Sequence, residues 1–150
     1  MSVRLQTQDF DIGAEIDRLV AGRTDVGAVV TFTGLVRDTA KGEKILDMTL
    51  DHYPGMCEAE LERIEQEAHR RFSLQGSLIV HRYGTLFAAD RIVLVVTLSE
   101  HRHEAFAAAE FLMDFLKTRA PFWKRETGAD GSGHWVDARE ADDEATGRWG

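Results

Sequence analysis

The sequence predicts a mixed α/β (α+β) fold in which a sheet and helices pack as two layers. Three observations carry that expectation. Strand-like and helix-like segments alternate along the chain without an internal repeat or a low-complexity linker. The segment Arg91–Leu98 (RIVLVVTL) is an almost unbroken apolar run, as expected of a strand covered on both faces. Three further segments carry apolar residues at helical spacing with polar residues between them. A chain of 150 residues can bury roughly two-thirds of its unfolded surface around one core, so residues 1–150 are expected to form a single domain.

The elements follow in order. Val3–Gln6 is a short strand. Asp9 or Asp11 can cap a helix whose apolar positions are Ile12, Ile16, Leu19 and Val20, with Gly22 beyond its end. Gly27–Val36 (GAVVTFTGLV) is rich in β-branched and aromatic residues and reads as a central strand delivering Arg37 and Asp38 to a polar loop. Ile45–Tyr53 alternates, with Leu46, Met48, Leu50 and His52 on one face, until Pro54-Gly55 breaks it. Met56–Phe72 forms a second helix with Leu61, Ile64, Ala68 and Phe72 on its apolar stripe. Strands are expected at Ser77–Tyr83 and Arg91–Leu98. A third helix runs from His103 to about Arg119 on Phe106, Ala109, Met113 and Leu116, and Pro121 ends it. Short strands at Phe122–Glu126 and His134–Ala138 flank a Gly-rich loop. The polar tail, with residues 140–150 expected to be mobile, closes the chain.

Charge and cysteine content exclude several functions. With 18 Lys+Arg against 26 Asp+Glu, net charge is −8, so the overall field repels nucleic acid and anionic lipid, and a basic cluster must act at short range. The single cysteine, Cys57, rules out an internal disulfide and a multi-thiolate zinc site, and fits a reducing cytoplasm. Met1–Phe10 lacks the layout of a secretory signal, and no apolar run approaches the roughly 20 residues that span a bilayer.

Basic side chains are the main candidates for chemistry. Ser99-Glu100-His101-Arg102-His103 lies where a buried strand turns into the third helix, and backbone N–H groups at a helix start attract anions. Cations placed there oppose the helix dipole, which a bound anion would relieve; a solvated basic turn is the competing reading. His101 and His103 form an H-x-H pair without a third metal ligand at a recognisable spacing, so no metal is assigned. Lys117 and Lys124 stand seven residues apart across Pro121, close enough through a turn to share one pocket, where neighbouring cations would favour a neutral, nucleophilic amine. A helix-end lysine also simply complements the dipole. Arg37 ends a strand, where ligands often bind. Phe122-Trp123 can stack a flat heterocycle or fill a core. Cys57 has no base beside it in sequence and reads as structural.

Several strings carry a family resemblance. GAVVTFTGLVRD (Gly27–Asp38), LDHYPGM (Leu50–Met56), HRYGTL (His81–Leu86), Glu100-His101-Arg102, FLMDFLKTRAPFWKRE (Phe111–Glu126) and WVDAR (Trp135–Arg139) resemble, in order, the catalytic large subunit of molybdopterin synthase, the MoaE family. KTRAPFWK (Lys117–Lys124) is the most specific of them. The resemblance implies an α/β hammerhead-type fold and a central homodimer. A small ubiquitin-like, MoaD-type sulfur-carrier subunit at each end would complete a heterotetramer. That partner's C-terminal Gly-Gly thiocarboxylate would thread into the active site, and two sulfur transfers would convert cyclic pyranopterin monophosphate into molybdopterin with its dithiolene, with no metal or organic cofactor. Carried over by position, Lys117 matches the essential lysine and Lys124 the second active-site lysine. Arg37, preceded by Leu35 and Val36, together with His101 and Arg102, matches the anionic substrate pocket, and Arg125 and Glu126 match its flanking segment. Lys117 is expected to act as nucleophile or proton shuttle while Lys124 and the arginines hold charge. The sequence departs at Leu35, where some members carry a basic residue.

Overall fold

The computed structural model describes residues 2–40, 42–129, 131, 133–136, 146–147 and 149–150. Along the chain run β1 (Val3–Gln6), α1 (Ile12–Val20), β2 (Ala28–Leu35), β3 (Thr39–Ala40), β4 (Glu43–His52), α2 (Met56–Arg71), β5 (Gly76–Arg82), β6 (Gly84–Phe87), β7 (Arg91–Ser99), α3 (Arg102–Arg119), β8 (Phe122–Gly128) and β9 (Gly133–Val136). One sheet has the order β1-β5-β7-β2, and a second has β3-β4-β8-β9 with β6 paired to β4. This is the mixed α/β class expected. Residues 137–138 of the expected last strand lie outside the described residues, as do 140–145 and 148 of the tail, including the acidic stretch Glu140–Glu144.

Each helix forms for a local reason and buries a defined face. The Asp11 carboxylate caps α1 by accepting the Ala14 N–H at 2.9 Å. Phe10, Ile12, Leu19 and Val20 then pack against Leu78, Val80, Leu94, Val96 and Leu98 on one face of the first sheet. The opposite face carries Val3, Ile79, Val93 and Val95, covered by Leu61, Ile64 and Ala68 of α2 and by Phe111, Leu112, Phe115 and Leu116 of α3. Strand β7 is therefore buried from both sides, as its unbroken apolar run predicts. At about 1.5–3 kcal/mol for each large apolar side chain fully buried, this double cover is the main source of stability. A third cluster, Val36, Met48, Leu50 and Leu86, joins the end of β2 to the second sheet.

Two expected faces are corrected. Leu46 is 49% exposed rather than sharing a face with Met48 and Leu50, because the β4–β8 register shifts between Ile45 and Asp47 and the bulge reverses the alternation. Phe106 is 60% exposed: the buried stripe of α3 runs through Ala105, Ala108, Ala109, Leu112, Phe115 and Leu116. Phe106 falls one position off that stripe, whereas Phe111 and Phe115 of the same helix lie buried.

Trp149 lies against this frame. Its Nε1 donates to the Asp114 carboxylate at 2.6 Å, and its ring meets Phe111 and Phe72 edge-on at 5.4 and 5.8 Å. Cys57, in the first turn of α2, is fully buried, and burial, aided by the Glu58 charge, pushes its thiol up to about 12. A thiol reagent such as 5,5′-dithiobis(2-nitrobenzoate) should therefore react with Cys57 only in denaturant; stoichiometric reaction under native conditions at pH 8 would contradict the packing.

Candidate active site

A cleft opens where the last turns of α3 meet the first sheet. Phe32, Gly34 and Leu35 of β2, His81 of β5, Ile92 and Val93 of β7, and Met113, Leu116 and Lys117 of α3 line it. Local chemistry shapes the walls. A Cβ on Gly34 would sit 3.0 Å from Val93 Cγ1, so a side chain there would crowd the cleft wall. The β2–β7 register shifts between Gly34 and Leu35, and the bulge turns Leu35, 54% exposed, along the rim. The chain is then pinned: the Val36 N–H donates to the Asp90 carbonyl at 2.9 Å, and the Val36 carbonyl accepts the Ala89 N–H at 2.8 Å. Ala89 takes φ 73° to make that turn. Buried Val36 thus anchors the exit of β2, and exposed Arg37 leaves from a fixed point.

His81 is the member of this cleft that the sequence reading did not single out, although HRYGTL contains it. Its partner across β7 is Val93, another lining residue. The ring stacks on Phe122 with centroids 3.9 Å apart and planes 20° from parallel. His81 Nδ1 lies 2.8 Å from the Arg82 carbonyl oxygen, which only accepts, so Nδ1 carries the hydrogen. Burial lowers its pKa to about 4. The hydrogen bond to the Arg82 carbonyl opposes that shift, and the Lys117 and His52 charges add to it. His81 remains partly exposed at the cleft mouth. A histidine near the end of a largely buried strand, inside the string HRYGTL, was the signal available in the sequence.

The shift has a measurable consequence. Because the folded-state pKa lies below the usual 6.5, the unfolded chain takes up the proton first as pH falls. The stability that neutral His81 contributes is complete above about pH 6.5 and is lost as pH drops towards about 4, an effect on the order of 2–3 kcal/mol. Urea midpoints of the wild type should therefore fall more steeply between pH 7 and 4.5 than those of His81→Gln; parallel pH profiles would refute the burial of a neutral ring.

The other sequence candidates divide into two places. On β8, Phe122, Lys124 and Glu126 stand opposite His52, Leu50 and Met48. Cross-strand partners share a face, so half-buried Lys124 and buried Glu126 lie on the inner side with Phe122, which stacks on His81. Arg125 lies on the other face, exposed and packed over Gly133. The His52 ring tilts over Tyr83 at 4.4 Å, and its buried Nδ1 has no hydrogen-bond partner among the described residues. His101 and Arg102, by contrast, sit at the start of α3, and both are exposed. Fifteen residues at about 1.5 Å each put Arg102 roughly 22 Å from Lys117 within one chain. Gly27 fixes that distant turn: a Cβ there would come within 2.1 Å of the Glu100 carbonyl oxygen. Among the described residues no three His, Cys, Asp or Glu side chains converge as a metal site, and no helix is long and apolar enough to cross a membrane.

The cleft, at about 100 Å³, is small beside sites that enclose a whole small molecule, which run to roughly 300–1,000 Å³. One chain therefore presents a slot for the end of a ligand, walled by apolar side chains with a lysine and a neutral histidine as its polar groups.

Comparison with known proteins connects this arrangement to a chemistry. Residues 5–119 match the family model described as MoaE protein. The chain is 56% identical over 150 residues to the molybdopterin synthase catalytic subunit of Rhizobium meliloti (strain 1021), covering 99% of this chain and 96% of that one. The solved structure of a molybdopterin biosynthesis MoaE protein from Burkholderia ambifaria MC40-6 aligns with a TM-score of 0.84 at 50% identity, over 99% of this chain and 97% of that one. A protein–protein complex of subunits 1 and 2 of molybdopterin-converting factor from Helicobacter pylori 26695 contains the same fold, with a TM-score of 0.72 at 19% identity over 93% of this chain and 92% of that one. The fold and the relatives define an enzyme subunit of molybdenum cofactor biosynthesis. The chain belongs to the MoaE family.

Proposed function

We propose that this protein is the sulfur-transferring subunit of molybdopterin synthase. It takes sulfur from the thiocarboxylated C-terminus of a small ubiquitin-like, MoaD-type subunit and delivers it to cyclic pyranopterin monophosphate. The observation that carries the reading is Lys117 on the wall of a narrow, largely apolar slot in a chain of net charge −8. A thiocarboxylate and a phosphate are both anions, and an acidic protein needs fixed local cations to hold them. A slot of about 100 Å³ suits an extended peptide end lacking side chains, such as Gly-Gly. From the rim of the cleft the Lys117 charge favours negative charge developing at the transferring sulfur. Lys124, on the inner face of β8, is placed in the second charge-holding role, and Arg37 in contact with the substrate's anionic group. Arg125, on the outer face of β8, is given no contact with the reacting atoms, and Leu35 and Val36 shape the rim.

Assembly follows from distance. His101 and Arg102 stand too far from Lys117 in one chain to share its ligand, and the slot is too small to enclose a pterin. The active assembly is accordingly a homodimer in which the second copy brings its His101 and Arg102 to the open side of the slot, with a small subunit docked on each copy. The presence of two subunits in the Helicobacter pylori complex of the same fold supports a two-component assembly. The buried, unpaired Cys57 agrees with a cytoplasmic setting.

The test is to mix the purified protein with a thiocarboxylated small subunit and cyclic pyranopterin monophosphate and to quantify molybdopterin as its oxidised fluorescent derivative. Product that depends on both components is expected. Binding of the small subunit without any product would reduce this chain to a docking module.

A further inference from the structure

We infer that His81 is a positioning residue for Lys117: its neutral ring presents Nε2 to the cleft as a hydrogen-bond acceptor that orients the lysine ammonium towards the reacting group. The inference rests on the reading of the cleft as the sulfur-transfer site and adds a residue to it.

Three contacts fix the acceptor. The Arg82 carbonyl takes the Nδ1 hydrogen at 2.8 Å, which leaves Nε2 of a neutral imidazole with a lone pair and no proton. Phe122 holds the ring plane by stacking at 3.9 Å. Pairing with Val93 sets the side chain on the sheet face covered by α3, and both residues line the cleft with Lys117. The titratable groups facing the ring are Lys117 from α3 and His52 from β4, each of which disfavours a charged imidazolium; Lys124 from β8 shares a strand face with Phe122. A histidine of pKa about 4 does not take a proton from an ordinary ammonium of pKa about 10.4, since transfer would be disfavoured roughly a millionfold. His81 is thus an acceptor rather than a base, and its effect is to keep Lys117 charged and aimed. An imidazolium in its place would present a donor and a like charge to the same amine.

Asparagine and glutamine separate the two ring nitrogens. In His81→Asn the amide can keep the donor to the Arg82 carbonyl but loses the acceptor at the cleft; in His81→Gln the longer side chain places an amide oxygen near the lost Nε2. His81→Asn is expected to lower kcat for molybdopterin formation by about 10–100-fold, the scale of a misaligned catalytic group, with KM for the thiocarboxylated subunit within about threefold. His81→Gln should recover most of the loss. Competitive acetylation of the ligand-free protein across pH, read by mass spectrometry at Lys117, should show its apparent pKa lower by about one unit in His81→Asn than in wild type. An unmoved Lys117 titration, or equal losses in both variants tracking their melting temperatures, would overturn the inference. Because His81→Asn could fold poorly, nitrogen-15 spectra of the wild-type and Lys117→Ala rings give a second test. An Nδ1–H tautomer whose Nε2 resonance moves downfield when Lys117 is removed supports the inference, and an Nε2–H tautomer or an unmoved resonance refutes it. Normal activity of Lys117→Ala would instead remove the parent reading of the cleft, while the acetylation result would still report on His81 and Lys117.

Discussion

Replacing Lys117 with alanine should lower the rate of molybdopterin formation at least about a hundredfold, the scale seen when one preorganised charge-stabilising group is removed from an active site. Stability should hardly change. Lys117 is exposed in the last turn of α3, so its removal forfeits a favourable interaction with the helix dipole of about 0.3–1 kcal/mol and opens no cavity. Leu116 and Phe115 beside it supply the packing. Affinity for the small subunit should stay within a few-fold, because one amine is a minor part of an interface that must also hold a folded partner. Lys117→Arg should not restore the rate: a planar guanidinium cannot replace a compact ammonium in a slot of this size. The decisive comparison is single-turnover product formation at saturating thiocarboxylated subunit, alongside a melting curve. A folded Lys117→Ala protein that makes product within threefold of wild type would take Lys117 out of the chemistry.

Periodicity made the main elements readable because the two strongest patterns, the apolar run of β7 and the helical stripe of α2, each answer to one packing surface. It failed where two surfaces or a register shift intervened. The bulge between Ile45 and Asp47 sends Leu46 outward, and no propensity marks a bulge in a run of alternating residues. Phe106 looked like core because it is large and apolar, yet the buried stripe of α3 runs from Ala105 through Ala108, Leu112 and Phe115, one position off Phe106. Strand β6 was hidden in the four residues Gly84–Phe87 that pair with β4. The site was legible only in pieces. Lys117 and Lys124 could be linked by the turn at Pro121. His81 could not be joined to them, since the contact runs through a cross-strand pair and a stack on Phe122 that depend on the fold. The helix pattern did place His101 and Arg102 at the start of α3 and Lys117 near its end, as observed; what it could not supply is a second chain to bring the two ends together.

That separation leads to the second large effect. Arg102→Ala should abolish activity as thoroughly as Lys117→Ala, yet a mixture of the two inactive proteins should work. If each site draws Lys117 from one copy and Arg102 from the other, a mixed dimer has one site with both groups and one with neither. Random exchange makes about half of all dimers mixed, so about a quarter of wild-type activity should return. Instability is a poor alternative explanation for the loss in Arg102→Ala. An exposed cation in the first turn of α3 opposes the helix dipole, and removing it should be neutral or slightly stabilising. Subunit exchange can be verified independently by native mass spectrometry of differently tagged chains. With exchange confirmed, failure of the mixture to recover activity would mean that the two groups do not meet across a dimer, and the basic turn at His101–Arg102 would then need a role outside the sulfur-transfer site.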